Sequence, residues 1–202
     1  RDFVKAEYRF RSTASGKLPT DDDLRRSIVE GLGGTGMVPQ NHLSAAEVDA
    51  VIEYVKSFSP RFANDDPPKP MKLPAPSPRT DASLARGAAI YRTAGCHNCH
   101  GDRGEGDGTS ADDLSQAPAN LRRHPLKGGS TAADIVRAVV TGLNGTPMPS
   151  YHLLYDDPDM WDLAYYVESL GRDGGMTEQE RIGWEVEGRE PGTESREPGT
   201  GN

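Results

Sequence analysis

The chain has 202 residues, 23 basic against 31 acidic, a net charge of −8 and only 6% aromatic side chains. That length allows one or two small domains, and a mean hydropathy of −0.69 leaves a thin protein-only core. No apolar run approaches the roughly 18 residues of a membrane helix, and no basic stripe suggests nucleic acid.

In chain order, the first expected element is a helix opening at Thr20. Asp23, three residues on, makes a capping-box-like start, and Leu24, Ile28, Val29 and Leu32 recur at helical spacing. The loop Gly34-Thr35-Gly36-Met37-Val38-Pro39 ends it. A second helix opens at Ser44 with Glu47 in its first turn, and Leu43 and Val48 are placed as a hydrophobic staple. Residues 59–79 then carry Pro60, Pro67, Pro68, Pro70, Pro74, Pro76 and Pro78, which reads as an extended, semi-rigid linker.

A third helix is expected over Asp81 to Thr93, with Leu84, Ala88 and Tyr91 on one side. It leads into Cys96-His97-Asn98-Cys99-His100, which holds the only two cysteines of the chain. In C-x-x-C-H the two thiols can form thioethers with the vinyl groups of one haem, and the adjacent imidazole falls beneath the iron as axial ligand. A lone C-x-x-C can also be a redox dithiol or half a zinc site. The dithiol reading wants βαβ strands, which are not seen. The zinc reading wants two more ligands at short spacing, and His124 and His152 stand too far apart to be that pair. His97, between the cysteines, is expected to face solvent.

A fourth helix runs from Thr131, with Asp134 three residues on and Ile135, Val136, Val139, Val140 and Leu143 in period. It ends in Gly145-Thr146-Pro147-Met148-Pro149, a loop stiffened by proline in which a thioether can be held at an iron. Met148 is therefore the candidate sixth ligand, with His152 a weaker one. Met160 shares a helical stripe with Leu163, Ala164 and Val167 and reads as core. That last helix starts with Asp157 as cap and Pro158 at its first position. Residues 172–202 lose periodicity and read as an acidic, disordered tail; counted from 171, four basic and eight acidic side chains put −4 of the net charge there. No segment alternates at period two, so the class is all-α.

Residues 20–37 can be laid on 131–148 without a gap. Identical pairs include Thr20/Thr131, Asp23/Asp134, Arg26/Arg137, Gly31/Gly142, Gly34/Gly145, Thr35/Thr146 and Met37/Met148. After one single-residue slip, Tyr54-Val55-Lys56-Ser57 matches Tyr166-Val167-Glu168-Ser169. Such a repeat implies two copies of one fold. Residues 1–58 thus read as a partial copy and 80–171 as a complete one. The partial copy keeps Met37, a candidate axial ligand for a second haem, but lacks an attachment motif. It is expected to be a piece of a dihaem protein; a degenerate haem-free copy, or one completed by another chain, are the alternatives. The first residue, Arg1, reads as not being a genomic start.

Residues 80–171, with C-H-N-C-H, G-T-P-M-P and W-D-L-A-Y-Y-V, resemble a class I c-type cytochrome domain. The stretch from Gly101 to Gly108, with Pro118-Ala119-Asn120-Leu121, is similar to the loop that follows the haem motif in many bacterial members. The resemblance implies first and last helices crossing through a small residue and aromatic rings, here Gly87 and Tyr91 against Trp161 and Tyr165. It implies a proline carbonyl, here that of Pro118, orienting the proximal imidazole. It also implies maturation outside the cytoplasmic membrane, hence a periplasmic or otherwise extracytoplasmic location. With haem c bound through Cys96 and Cys99 between His100 and Met148, the iron has no vacant position, so the expected role is one-electron transfer between redox protein partners rather than catalysis. Service as the cytochrome subunit of a larger oxidoreductase is the alternative. A dihaem peroxidase, a gas sensor and a haem-free interaction protein are weaker rivals.

Overall fold

Residues 2–174 are described in the computed structural model, and among them the regular structure is helical, with no named strand. The reading of 172–202 as a tail lies, from residue 175 on, outside the described residues. Seven helices follow in order: α1 Asp21–Val29, α2 Ala45–Ser57, α3 Arg61–Asn64, α4 Asp81–Thr93, α5 Cys96–His100, α6 Ala132–Thr141 and α7 Asp157–Gly174.

Local chemistry sets where they start. Thr20, Ser44, Thr80 and Thr131 each cap a helix in a reciprocal capping box, with Asp23, Glu47, Ser83 and Asp134 as the return partners. Each box satisfies backbone N–H groups that the first turn leaves without partners. The stops come sooner than the apolar periodicity suggests. Leu32 and Leu143 lie beyond their helices because Gly31 and Gly142 take positive φ (71° and 66°), which turns the chain out of the helix. α7 opens one residue earlier than expected: the Asp156 carbonyl accepts from the N–H groups of Asp159 and Met160, so Asp157 is already inside the helix.

Two apolar clusters result. Ala6, Tyr8, Leu18, Leu24, Ile28, Val48 and Ile52 form the first, between α1, α2 and the N-terminal stretch. The second joins Tyr91 of α4, the inner face of α6 and Met160, Leu163, Ala164 and Val167 of α7. Of the expected side Leu84, Ala88 and Tyr91, only Tyr91 is buried; Ser83 and Gly87 are the other residues that α4 buries, while Leu84 and Ala88 are half-buried. The reason is the crossing. A Cβ at Gly87 would land on the Asp162 carbonyl oxygen and lie 2.8 Å from Tyr166 Cβ, so only glycine allows α4 and α7 this close. The aromatic partner at the crossing is Tyr166, edge-on to Tyr91 at 5.4 Å, not the expected Trp161 and Tyr165. Those two lie roughly 140° and 100° round the helix from Tyr166. They hold the proline-rich stretch instead: Trp161 Nε1–H donates to the Pro74 carbonyl (3.0 Å) and Tyr165 Oη–H to that of Ser77 (2.6 Å). Residues 59–79 therefore form a strap across α7 that also contains α3, with Met71 and Leu73 packed on the second cluster.

Candidate functional site

α4 delivers the chain to the C-x-x-C-H segment. Gly95 (φ 75°) turns it into the five-residue α5, and Gly101 (φ 79°) turns it out again. Cys96 and Cys99, three residues apart, rise from the same side of that single turn, and both thiols are free. Burial pushes the Cys96 thiol up to about 11. The following loop is laced back onto the motif. Gly106, Gly108 and Ser110 donate their N–H groups to the carbonyls of His100, Cys99 and Asn98 at 2.8, 3.2 and 2.8 Å. The Tyr91 hydroxyl donates to the Gly101 carbonyl at 2.7 Å, tying α4 to the end of α5.

His100 is oriented by one bond. Its Nδ1–H donates to the Ala119 carbonyl at 2.9 Å, which fixes the tautomer and leaves Nε2 with its lone pair. Burial lowers the imidazole pKa, so the ring is held in the neutral form that a metal requires. The expected Pro118 carbonyl is not this acceptor. In the loop's backbone, alternate carbonyls point opposite ways: that of Pro118 faces Gly106, where a Cβ would stand 3.0 Å from it, and the next one faces the imidazole. His97 also departs from expectation, being half-buried with its Nδ1 enclosed.

Met148 and Cys96 both pack, half-buried, against the second apolar cluster, together with Tyr151. Within itself, the loop that carries Met148 is closed by backbone and threonine. Leu143 N–H donates to the Met148 carbonyl (3.1 Å), Thr146 N–H and Oγ1 donate to the Leu143 carbonyl (3.2 and 2.8 Å), and Met148 N–H donates to Thr146 Oγ1 (3.2 Å). Gln116 reaches the Gly145 carbonyl from the loop after the motif. His152 is exposed and bonded to Ser150, and Met160 is buried in the core.

These donors suit one prosthetic group. Two free thiols on one turn, a neutral imidazole with Nε2 open and a thioether on the same apolar cluster match the attachment and axial sets of a covalent haem. Among the described residues no three of His, Cys, Asp and Glu converge as a bare-metal site. Met37 lies in the other half of the molecule, 40% exposed, and is not brought to Cys96 or His100. The roles of the Ala119 carbonyl, the Tyr166 ring and the Gln116 amide do not show in the sequence, since nothing local marks a group that acts across a fold.

Three comparisons bear on this arrangement. A family model described as Cytochrome c matches residues 84–171. The cbb3-type cytochrome c oxidase subunit CcoP of Azospirillum sp. (strain B510) is 28% identical over 165 residues, which is 80% of this chain and 48% of that protein. The chain thus spans about half the length of that curated relative. A chain in the solved structure of the Kuenenia stuttgartiensis reducing HAO-like protein complex Kustc0457/Kustc0458 superposes with a TM-score of 0.80 at 36% identity, over 84% of this chain and 80% of that one.

Proposed function

The chain belongs to the cytochrome c family, and on that premise we propose that it carries single electrons on one haem c, joined through Cys96 and Cys99 and ligated by His100 and Met148. The family gives the covalent haem and the electron-transfer role; the ligand pair and the partners are our reading. The bond from His100 Nδ1–H to the Ala119 carbonyl carries it, because it presents Nε2 as a ready ligand on the residue that follows the second thiol. When bound, the haem supplies a reversible one-electron centre. The protein's part is to hold the imidazole neutral, to place a soft thioether that favours the ferrous state, and to exclude water with the Tyr91, Tyr151 and α6–α7 packing.

Substituting Met148 by Ala tests this. The weak red absorption of an iron–sulfur(Met) bond should vanish, the potential should fall, and the reduced protein should bind carbon monoxide. An unchanged spectrum and potential would return Met148 to a core role. The paired Met37→Ala change should leave this haem's spectrum as it was.

We read residues 1–58 as a partial copy of the same domain. In support, four hydrogen bonds of the Met148 loop recur around Met37: Leu32 N–H to the Met37 carbonyl, Thr35 N–H and Oγ1 to Leu32, and Met37 N–H to Thr35 Oγ1. Gln40 N–H returns to Ile28 as Tyr151 N–H returns to Val139. The outer face of α2, with Val51, Tyr54 and Phe58 exposed, corresponds to the face by which α7 meets α4. Service as an electron-transfer subunit of a larger oxidoreductase, outside the cytoplasm, is the second reading, favoured by the two relatives, one an oxidase subunit and the other part of a protein complex.

A further inference from the structure

The two halves meet at a place that the haem motif does not involve. Arg11 comes from the N-terminal stretch, yet it is only 1% exposed. Its guanidinium donates to four carbonyls. Nε reaches Ala14 (3.3 Å) and one Nη1 bond reaches Arg9 (3.3 Å), both close in sequence. The other two lie some 130 residues away: Nη1 to Gly142 (3.2 Å) and Nη2 to Thr141 (2.9 Å). Those carbonyls close α6 and open the Met148 loop.

The end of α6 needs this partner. The last carbonyls of a helix have no acceptor role within it, and the negative end of the helix dipole favours a cation. α6 has no basic residue in its last turn, so the other half provides one. A second tie sits three residues on. Asn144 Oδ1 accepts from Gly16 N–H at 2.9 Å and from Ser15 Oγ at 3.5 Å, and its amide donates to the Lys17 carbonyl at 3.4 Å. The Met148 loop is thus gripped at both its first residue and its tip-side asparagine by residues 11–17. Asp23, itself buried, is the counter-charge that acts on Arg11; it accepts from the N–H groups of Ser12 and Thr20 and from the Ser12 hydroxyl, and it pairs with Arg26.

We propose that the first half is a clamp on the sixth ligand, with Arg11 as its positioning residue: the buried guanidinium and the Gly16–Asn144 tie hold the Met148 loop closed over the haem face. The clamp rests on the reading of Met148 as ligand. Two effects follow. Holding Thr141 and Gly142 raises the cost of any loop movement that would take the thioether off the iron. The buried cation also disfavours the extra positive charge of the ferric state, so it raises the reduction potential.

The test uses the full haem-loaded chain and added imidazole as probe of the ferric iron. In Arg11→Met, imidazole should bind on the order of tenfold more readily, since two charge-assisted bonds to the loop are gone. The red iron–sulfur absorption should weaken, the potential should drop, and hydrogen exchange over residues 142–149 should quicken. Arg11→Lys should restore part of each. A protein that melts earlier but keeps its imidazole affinity, red absorption and potential would reduce Arg11 to a structural residue and overturn the clamp. If Arg11→Met does not fold, Asn144→Ala decides, because it cuts only the second tie; faster imidazole binding supports the proposal and unchanged binding sinks it. A parent protein without red absorption would fail the Met148 reading itself, before any Arg11 variant is made, and the clamp would fall with it.

Discussion

The loops around Met37 and Met148 share their backbone, yet only one faces a haem motif. Both leave a helix through a glycine at positive φ, both fold over a threonine, and both return their methionine carbonyl to a leucine N–H. What differs is the covering. α7 is packed by α4 along its whole crossing, whereas the matching face of α2 is open, with Tyr54 66% exposed. The comparison separates two layers of encoding. A methionine loop is specified within about twenty residues by glycine, threonine and a capping box. A haem site further requires a remote helix to bring cysteines and histidine to that loop.

The sharpest way to break the comparison is at the helix crossing. Gly87→Leu should remove the α4–α7 contact, because even one carbon there collides with the Asp162 carbonyl. We expect a loss of more than about 3 kcal/mol and failure to retain haem in a folded domain, read by chemical denaturation and Soret absorption. Tyr54→Ser, at the corresponding exposed face of α2, should cost no more than about 1 kcal/mol, its edge-on contact with Phe58 being the packing it loses. Equal losses at the two positions would mean that the α2 face is not open in solution.

A smaller effect should be nearly the same in both halves. A Cβ on Gly31 would stand 2.5 Å from the Met37 carbonyl oxygen, and one on Gly142 would stand 2.8 Å from the Pro149 carbonyl carbon; both residues also have positive φ. Alanine at either should cost about 1–3 kcal/mol. Thermal melts should show similar losses, while only Gly142→Ala should perturb the iron–sulfur absorption. A spectral change from Gly31→Ala would mean that the first loop also communicates with the bound haem.

Much of this was legible because it is local. Three of the four capping boxes, those at Thr20, Ser44 and Thr131, read directly from residues three apart, and the span Asp81–Thr93 is where the helical spacing puts it; the fourth box, Thr80 with Ser83, carries serine in place of an acid and does not stand out. The motif Cys96–His100 carries its chemistry in its spacing. The failures share one physical origin. Which face α4 buries depends on how closely α7 approaches, and that is decided by Gly87 lying on Asp162 rather than by the apolar stripe Leu84–Ala88. Pro118 and Ala119 differ only in carbonyl direction, which the loop's path past Gly106 settles. Arg11 reads as one more charged residue in an irregular stretch; its role appears only when the end of α6 is seen to lack a cation of its own. The proline-rich stretch looked like a spacer because its ties to Trp161 and Tyr165 use backbone carbonyls, which no composition reveals.

A loss smaller than those at the glycines is expected at the capping boxes. Burial pushes the Asp134 carboxyl up, but hydrogen bonds from Thr131 and the ion pair with Arg137 at 2.8 Å outweigh it, so its pKa lies below the ordinary value. A carboxyl depressed on folding contributes stability that is fully present above its unfolded pKa of about 4 and is lost as pH falls through the folded value. Asp134→Asn should therefore lower stability by about 0.5–1.5 kcal/mol at neutral pH and make no difference in strong acid, flattening the acid limb of the stability profile. Asp23→Asn should cost more, because that 2%-exposed carboxylate also accepts from the Ser12 N–H and hydroxyl beside the clamp residue Arg11. Denaturant melts of both variants across pH would separate a shared helix cap from a cap that also anchors the interface between halves, and matching losses would deny Asp23 that second task.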